Sequence, residues 1–283
     1  MLENPEQVIS IFSFTDKNND LSLHKNSGDA MVGEKFQKLY DIMKKLREEC
    51  PWDKEQTHDS IKAATLEETY ELIEAIDQKD YVELKTELGD LLLHIVFHSA
   101  IGEDNKFFTA EEVIDTLCDK LIRRHPHVFG DVEVKNTKEI LKNWEEIKLS
   151  EGRTSVLEGV PKLLPGLARA YRLQEKASKV GFDWEKKEDV WKKVIEEIEE
   201  MHEMEADGNI EKLEQELGDV FFALTNYARF LGINPENALR LTNEKFIKRF
   251  SYVEQKINEQ GRKLSESNLA EMDKFWEESK KLD

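Results

Sequence analysis

Five acidic residues recur in this chain at one fixed spacing. Glu67, Glu68, Glu71, Glu87 and Asp90 reappear as Glu196, Glu197, Glu200, Glu216 and Asp219, each pair 129 positions apart. The tetrapeptide ELGD carries the last two of each set, at 87–90 and 216–219, heading an apolar run. At about 100° per residue along a helix, Glu197 sits at the edge of the apolar arc Val190, Val194, Ile198 and Met201. Glu200 lies just beyond it on the same side. Glu216 and Asp219 take the same edge positions beside Leu213, Leu217, Val220 and Leu224. In the first copy Glu68 and Glu71 stand beside Leu72 and Ile76, and Glu87 and Asp90 beside Leu88, Leu91 and Ile95. Glu196, Glu199 and Glu203 turn toward solvent.

Folding the second helix pair antiparallel about Gly208 sets Glu200 opposite Glu216 and Glu197 opposite Asp219. The same fold about Lys79 pairs Glu71 with Glu87 and Glu68 with Asp90. Four carboxylates then converge between helix axes about 8–10 Å apart. Like charges beside an apolar wall do not stay ionised together without compensation. A divalent cation supplies it, and an all-oxygen set suits Mg²⁺ or Mn²⁺ over zinc. In a chain that is 36% charged, a lone E-E-x-x-E reads as a solvated helix face. The inward phase, the mirrored hairpin and the repeat weigh against that here. Gly89 and Gly218, each costing about 1 kcal/mol mid-helix, fit a close helix approach beside the acids.

A cation held by four acids suits a polyphosphate: it bridges carboxylate and phosphate oxygens, orients a water and neutralises a leaving pyrophosphate. Further cations are expected nearby. Lys245 and Arg249 share a helical face at i, i+4, as do Lys120 and Arg124. Trp276 shares a face with Lys280, and Trp144 with Lys148. Each Trp could stack on a nucleobase or pack in a core. Other chemistries fit less well. GDAMVGEK has Glu34 where a phosphate-binding loop needs lysine. Glu199 and His202 offer one Glu-x-x-His with no counterpart in the first copy, short of a di-iron bundle. His125 and His127 follow a helix and read as packing residues. His58-Asp59 lacks the distant partners of an HD phosphohydrolase.

The elements that must position these residues are helices. Six prolines and thirteen glycines in 283 residues leave few breaks, and the expected fold class is all-α. Periodicity predicts helices over 34–49, 60–77, 80–101, 109–125 and 137–149, then 166–179, 187–206, 209–231, 235–259 and 266–281. Residues 1–33 read as a flexible N-terminal extension, 34–149 as a first helical module, 150–165 as a linker, and 166–283 as a second module. DKLIRRH at 119–125 aligns with EKFIKRF at 244–250, and WEEIK at 144–148 with WEESK at 276–280. A formal charge of −19 argues against nucleic acid and anionic membranes as partners. No apolar run is long enough for a membrane span, and no signal peptide is evident. Cys50 and Cys118 match no metal or redox spacing, which suggests a reduced, cytoplasmic setting.

These motifs resemble the MazG family of nucleoside triphosphate pyrophosphohydrolases. The resemblance rests on the paired E-E-x-x-E…E-x-x-D motif, GFDW at 181–184, NEKFIKRF at 243–250 and WEESK. CPWDKEQTH, LEETYEL, ELGDLLLH and RRHPHVFGD extend it through the first half, so it covers roughly residues 34–283. It implies tandem all-α NTP-pyrophosphatase modules, a homodimer, and Mg²⁺-dependent cleavage of nucleoside triphosphates to monophosphate and pyrophosphate. Carried over, Glu197, Glu200, Glu216 and Asp219 would be the metal ligands and catalytic acids. Lys245 and Arg249 would contact the triphosphate, and Trp276 and Lys280 the nucleotide. The second module would be the main catalyst. The first keeps Glu68, Glu71, Glu87 and Asp90, with Lys120, Arg124, Trp144 and Lys148 as weaker nucleotide contacts. It has Cys118 where the second has Asn243, and His125 where the second has Phe250. Glu196 and Glu203 are candidates for a base, against their outward phase. A non-catalytic nucleotide-sensing scaffold is the competing class, and terminal-phosphate cleavage a third; product identity separates them.

Overall fold

A computed structural model describes residues 27–152 and 154–282. Every regular element among them is helical, in the order α1 Ser27–Glu49, α2 Pro51–Glu55, α3 His58–Gln78, α4 Tyr81–Asp104, α5 Ala110–Arg124, α6 Pro126–Phe129, α7 Thr137–Ser150, α8 Gly166–Ser178, α9 Lys187–Asp207, α10 Ile210–Phe230, α11 Pro235–Glu259 and α12 Leu269–Ser279. The all-α expectation holds. α1 begins at Ser27, inside the stretch expected to be an extension; residues 1–26 of that stretch lie outside the described residues. The helix expected over 266–281 is a 3-10 turn at Leu264–Glu266 followed by α12, because Asn268 caps a fresh start by accepting from the Glu271 amide.

The described residues divide into two compact units, one up to residue 123 and one from residue 124 on. In unit 1, α3 and α4 pack together and α1 lies against α4. Their core is Tyr40, Met43, Ile61, Val96, Phe97, Ala100 and Ile101; fully burying such side chains contributes about 1.5–3 kcal/mol each. Thr57 and Ser60 form a capping box at the start of α3. Arg47 on α1 donates to the carbonyls of Asp53 and Gln56 and pairs with Asp104 at 2.7 Å, tying α2 to the end of α4.

In unit 2, α10 packs on α9 and α8, and α11 on α12. Val190 and Val194 on α9 are fully buried, as is Thr225 on α10. Val253, Ile257 and Phe275 form a second cluster, with Trp276 against it. Arg229 near the end of α10 holds Asp183 of GFDW with two guanidinium nitrogens. No helix forms among the described residues between Ser150 and Gly166. Lys176 on α8 nevertheless fastens that stretch by donating to the Val156 carbonyl at 3.1 Å.

Both hairpins turn where the acid spacing requires. Lys79 closes α3 in the left-handed region with φ 56°, and Gly208 closes α9 with φ 70°. Asp80 and Asn209 then cap α4 and α10. The apolar arcs differ from expectation. Val220 and Ala223 are buried, but Leu217, Leu224, Leu88, Ile95 and Ile76 are exposed. A Cβ built on Gly89 or Gly218 meets nothing within 4 Å, so neither glycine marks a close approach within the chain. The reason is that α4 and α10 turn only part of their apolar surface onto their partner helices.

Candidate metal centres

In unit 1, carboxylate oxygens of Glu68, Glu71 and Glu87 lie within 4.8 Å of one another. Asp90, half-buried one turn on, is not part of that group. Glu87 is 5% exposed, and its Oε2 is buried with no hydrogen-bond partner. Burial, a hydrogen bond to Glu83 and the charges of Glu71, Glu83 and Glu68 push its carboxyl up to about 7. An orphaned buried carboxylate oxygen facing two further acids is the state that a bound cation completes. These residues fit a divalent ion.

In unit 2 the converging group is Glu197, Glu216 and Asp219, again within 4.8 Å. Glu200 stands outside it on the exposed flank. Partial desolvation and the Glu197 charge push the Glu200 carboxyl up. Here a lysine supplies the compensation. Lys193 places its Nζ 2.8 Å from the buried Glu197 and 2.6 Å from Glu196. Those hydrogen bonds, to Glu196 and then Glu197, hold its ammonium well above the usual lysine range. An all-oxygen triad with one buried member fits a hard divalent cation once Lys193 moves aside.

Spacing alone missed Glu83, Lys193 and His94. Glu83 precedes Glu87 by four and Lys193 precedes Glu197 by four. His94, buried, follows Asp90 by four and sets Nε2 4.0 Å from Glu68 Oε1. All three share the helical stripe of the acids, and a search of i ± 4 positions finds them.

The proposed nucleotide contacts have these surroundings. Lys245 is exposed on α11. The Arg249 guanidinium lies over the Trp276 ring at 5.9 Å, and Phe246 also meets that ring, at 5.2 Å. Trp276 packs on the core cluster, so it serves packing and still carries a cation on its ring. Lys280 pairs with Glu277. Among the first-copy candidates, Lys120 is half-buried in unit 1, whereas Arg124, Trp144 and Lys148 fall in unit 2. Arg124 holds Glu151 through two nitrogens, at 2.5 and 3.2 Å. Trp144 meets His125 edge-on at 5.0 Å and Lys148 at 6.0 Å.

The class defined by this arrangement is an all-α protein built on two helical hairpins, each converging carboxylates suited to a cation. The family model described as "MazG nucleotide pyrophosphohydrolase domain" matches twice, at residues 56–129 and 185–253. The nucleoside triphosphate pyrophosphohydrolase/pyrophosphatase MazG of Thermotoga maritima is 45% identical over 254 residues, covering 88% of this chain and 97% of that protein. The nucleoside triphosphate pyrophosphohydrolase of Escherichia coli is 42% identical over 86% of this chain and 96% of its own. The uncharacterized protein YabN of Bacillus subtilis is 46% identical over 90% of this chain, which spans 53% of it. The chain belongs to the MazG nucleotide pyrophosphohydrolase family.

Proposed function

We propose that this protein hydrolyses nucleoside triphosphates to nucleoside monophosphate and pyrophosphate, with Mg²⁺ held by the second cradle. The observation that carries the reading is the convergence of Glu197, Glu216 and Asp219 within 4.8 Å in the second hairpin. The names of the Thermotoga maritima and Escherichia coli relatives supply the substrate class. Mn²⁺ is an acceptable substitute for the same oxygen set.

Bound there, Mg²⁺ would neutralise charge on the phosphate chain and orient the attacking water. The rest falls to the chain's own residues. Glu200, beside Glu197 on the exposed rim, completes the acidic set. Lys245 and Arg249 hold the triphosphate electrostatically, Arg249 positioned by the Trp276 ring beneath it. Trp276 on α12 and Lys280 directly after it contact the nucleotide. Lys193 would release Glu197 to a bound cation. Water attacks a phosphorus of the chain in line and gives up a proton to solvent, the bridge between the α- and β-phosphates breaks, and monophosphate and pyrophosphate leave. Specificity for the base is broad, and the role is removal of aberrant nucleotides in the cytoplasm. No described helix is long and apolar enough to cross a membrane, and the net charge disfavours nucleic acid.

The working form is a homodimer. Leu88, Leu92 and Ile95 on α4 and their counterparts Leu217, Phe221 and Leu224 on α10 are exposed in the single chain. Such apolar patches mark contact surfaces; sedimentation of the full chain as a monomer at working concentration would count against this. The site itself is tested by Glu216→Ala, with monophosphate and pyrophosphate quantified from a panel of triphosphates. Loss of at least about 100-fold in turnover is expected. Unchanged pyrophosphate release sinks the assignment, and diphosphate plus phosphate as products would replace it with phosphatase chemistry.

A further inference from the structure

His58, the first residue of α3, reaches across the first hairpin. Its Nδ1 lies 2.8 Å from Nδ1 of His98 on α4, with the two rings nearly parallel at 13°. Phe108, in the segment after α4, stacks on the His58 ring at 6.0 Å. His98 is half-buried, and its Nε2 lies 3.2 Å from Thr65 Oγ1. Ile61 is the first buried residue of α3, so the helix's opening turn is fastened to α4 by this imidazole contact.

Two Nδ1 atoms at that distance hold one proton between them, whichever ring carries it. The contact therefore survives with the pair neutral or with one added proton. It does not survive two, because each Nδ1 would then aim a hydrogen at the other. The surroundings also oppose the second charge. His58 sits at the positive end of the α3 dipole. Burial, then the charges of His58 and His94, push the His98 imidazole down from its ordinary 6.5. The charged groups nearby do little to offset this. Asp59 on α3 is exposed and paired with Lys62 at 2.9 Å. On α4 the titratable neighbour is His94, itself 4.0 Å from Glu68. From α1, which also packs on α4, Lys44 and Arg47 are held by Glu103 and Asp104 farther along.

We infer that the His58–His98 pair is an acid-released latch: uptake of a second proton by the pair frees the opening turn of α3 from α4, while the second hairpin stays fastened. The second copy has no such pair, since the positions 129 beyond are Lys187 and Tyr227. Glu68 and Glu71 lie farther along α3, so the latch governs the helix that carries two acids of the first cluster. It works by proton uptake at the pair and needs no bound cation. The folded pair takes up protons less readily than the unfolded chain. Its contribution is therefore present above about 6.5 and is lost as pH falls below that.

The test follows amide hydrogen exchange of the full chain in chelator, between about pH 7.5 and 5, corrected for intrinsic rates. Protection early in α3 should fall about tenfold more on acidification than protection at the start of α9. His58→Phe keeps a ring against His98 and Phe108 but removes the proton site, and should abolish that excess loss. The Glu87 carboxyl titrates in both chains and cancels in the comparison. The unsubstituted chain gives a measurement free of folding effects. Its imidazole nitrogen signals for His58 and His98 should titrate in two linked steps, the second below the ordinary histidine range. Two independent steps at the ordinary value overturn the latch. So does an equal loss of protection in His58→Phe, or a loss shared equally by α3 and α9.

Discussion

The two hairpins share a turn position, an acid spacing and a left-handed helix end, yet they solve one electrostatic problem differently. In the first, Glu87 faces Glu83, Glu68 and Glu71, and burial and those acids push its carboxyl up to about 7. In the second, Lys193, standing where the first copy has Ala64, reaches forward one turn to Glu197; Lys212 stands where the first has Glu83. One cluster raises a carboxyl's affinity for a proton, and the other holds an ammonium against its buried acid. A duplicated backbone therefore does not duplicate its electrostatics: residues one helical turn away set the charge around each acidic cluster.

The largest expected contrast is in turnover. Glu216→Ala should abolish most pyrophosphate release, whereas its counterpart Glu87→Ala should leave the greater part. Equal losses of about 100-fold in both would break the division of labour.

The pH dependence of stability should separate the cradles next. Glu87 has a folded value of about 7 against an ordinary 4.5. Its favourable contribution is complete below 4.5 and is lost as pH rises through about 7. In chelator, the full chain should lose unfolding free energy over that window. Glu87→Gln should flatten the loss, and an identical slope in both chains contradicts the assignment.

A smaller effect concerns Lys193. Lys193→Ala leaves Glu197 without its counter-ion, so Mg²⁺ should bind the second cradle about fivefold more tightly, the scale of a partly exposed ion pair. Calorimetry that finds weaker binding would instead make Lys193 part of the cation's support. The smallest contrast lies in the turns. Lys79→Gly should stabilise the chain and Gly208→Ala destabilise it, each by about 1 kcal/mol, since only glycine occupies the left-handed region without steric cost. Denaturant midpoints check both.

Much of the site was legible in order of residues. Lys79 and Gly208 as pivots, and Glu71 facing Glu87, follow from helical phase and a short turn. Asp90 and Glu200, the fourth acids expected in each set, lie outside the converging trios. Asp90 and Glu200 stand at the rims, where a carboxylate can turn to water unless a cation holds it inward. GFDW was legible only as a family motif, and its local purpose became plain in the Asp183–Arg229 pair across 46 residues.

Helix positions, hairpin turns and the stripe carrying the acids were determined by the sequence alone, because they depend on local propensity, capping and a period of 3.6 residues. The tertiary structure alone decided which three acids of each four converge, that Lys193 and His94 stand beside homologous glutamates, and which apolar residues stay open. Those outcomes depend on how helices cross and on rotamers chosen against neighbours from other helices, and no one-dimensional spacing contains that information.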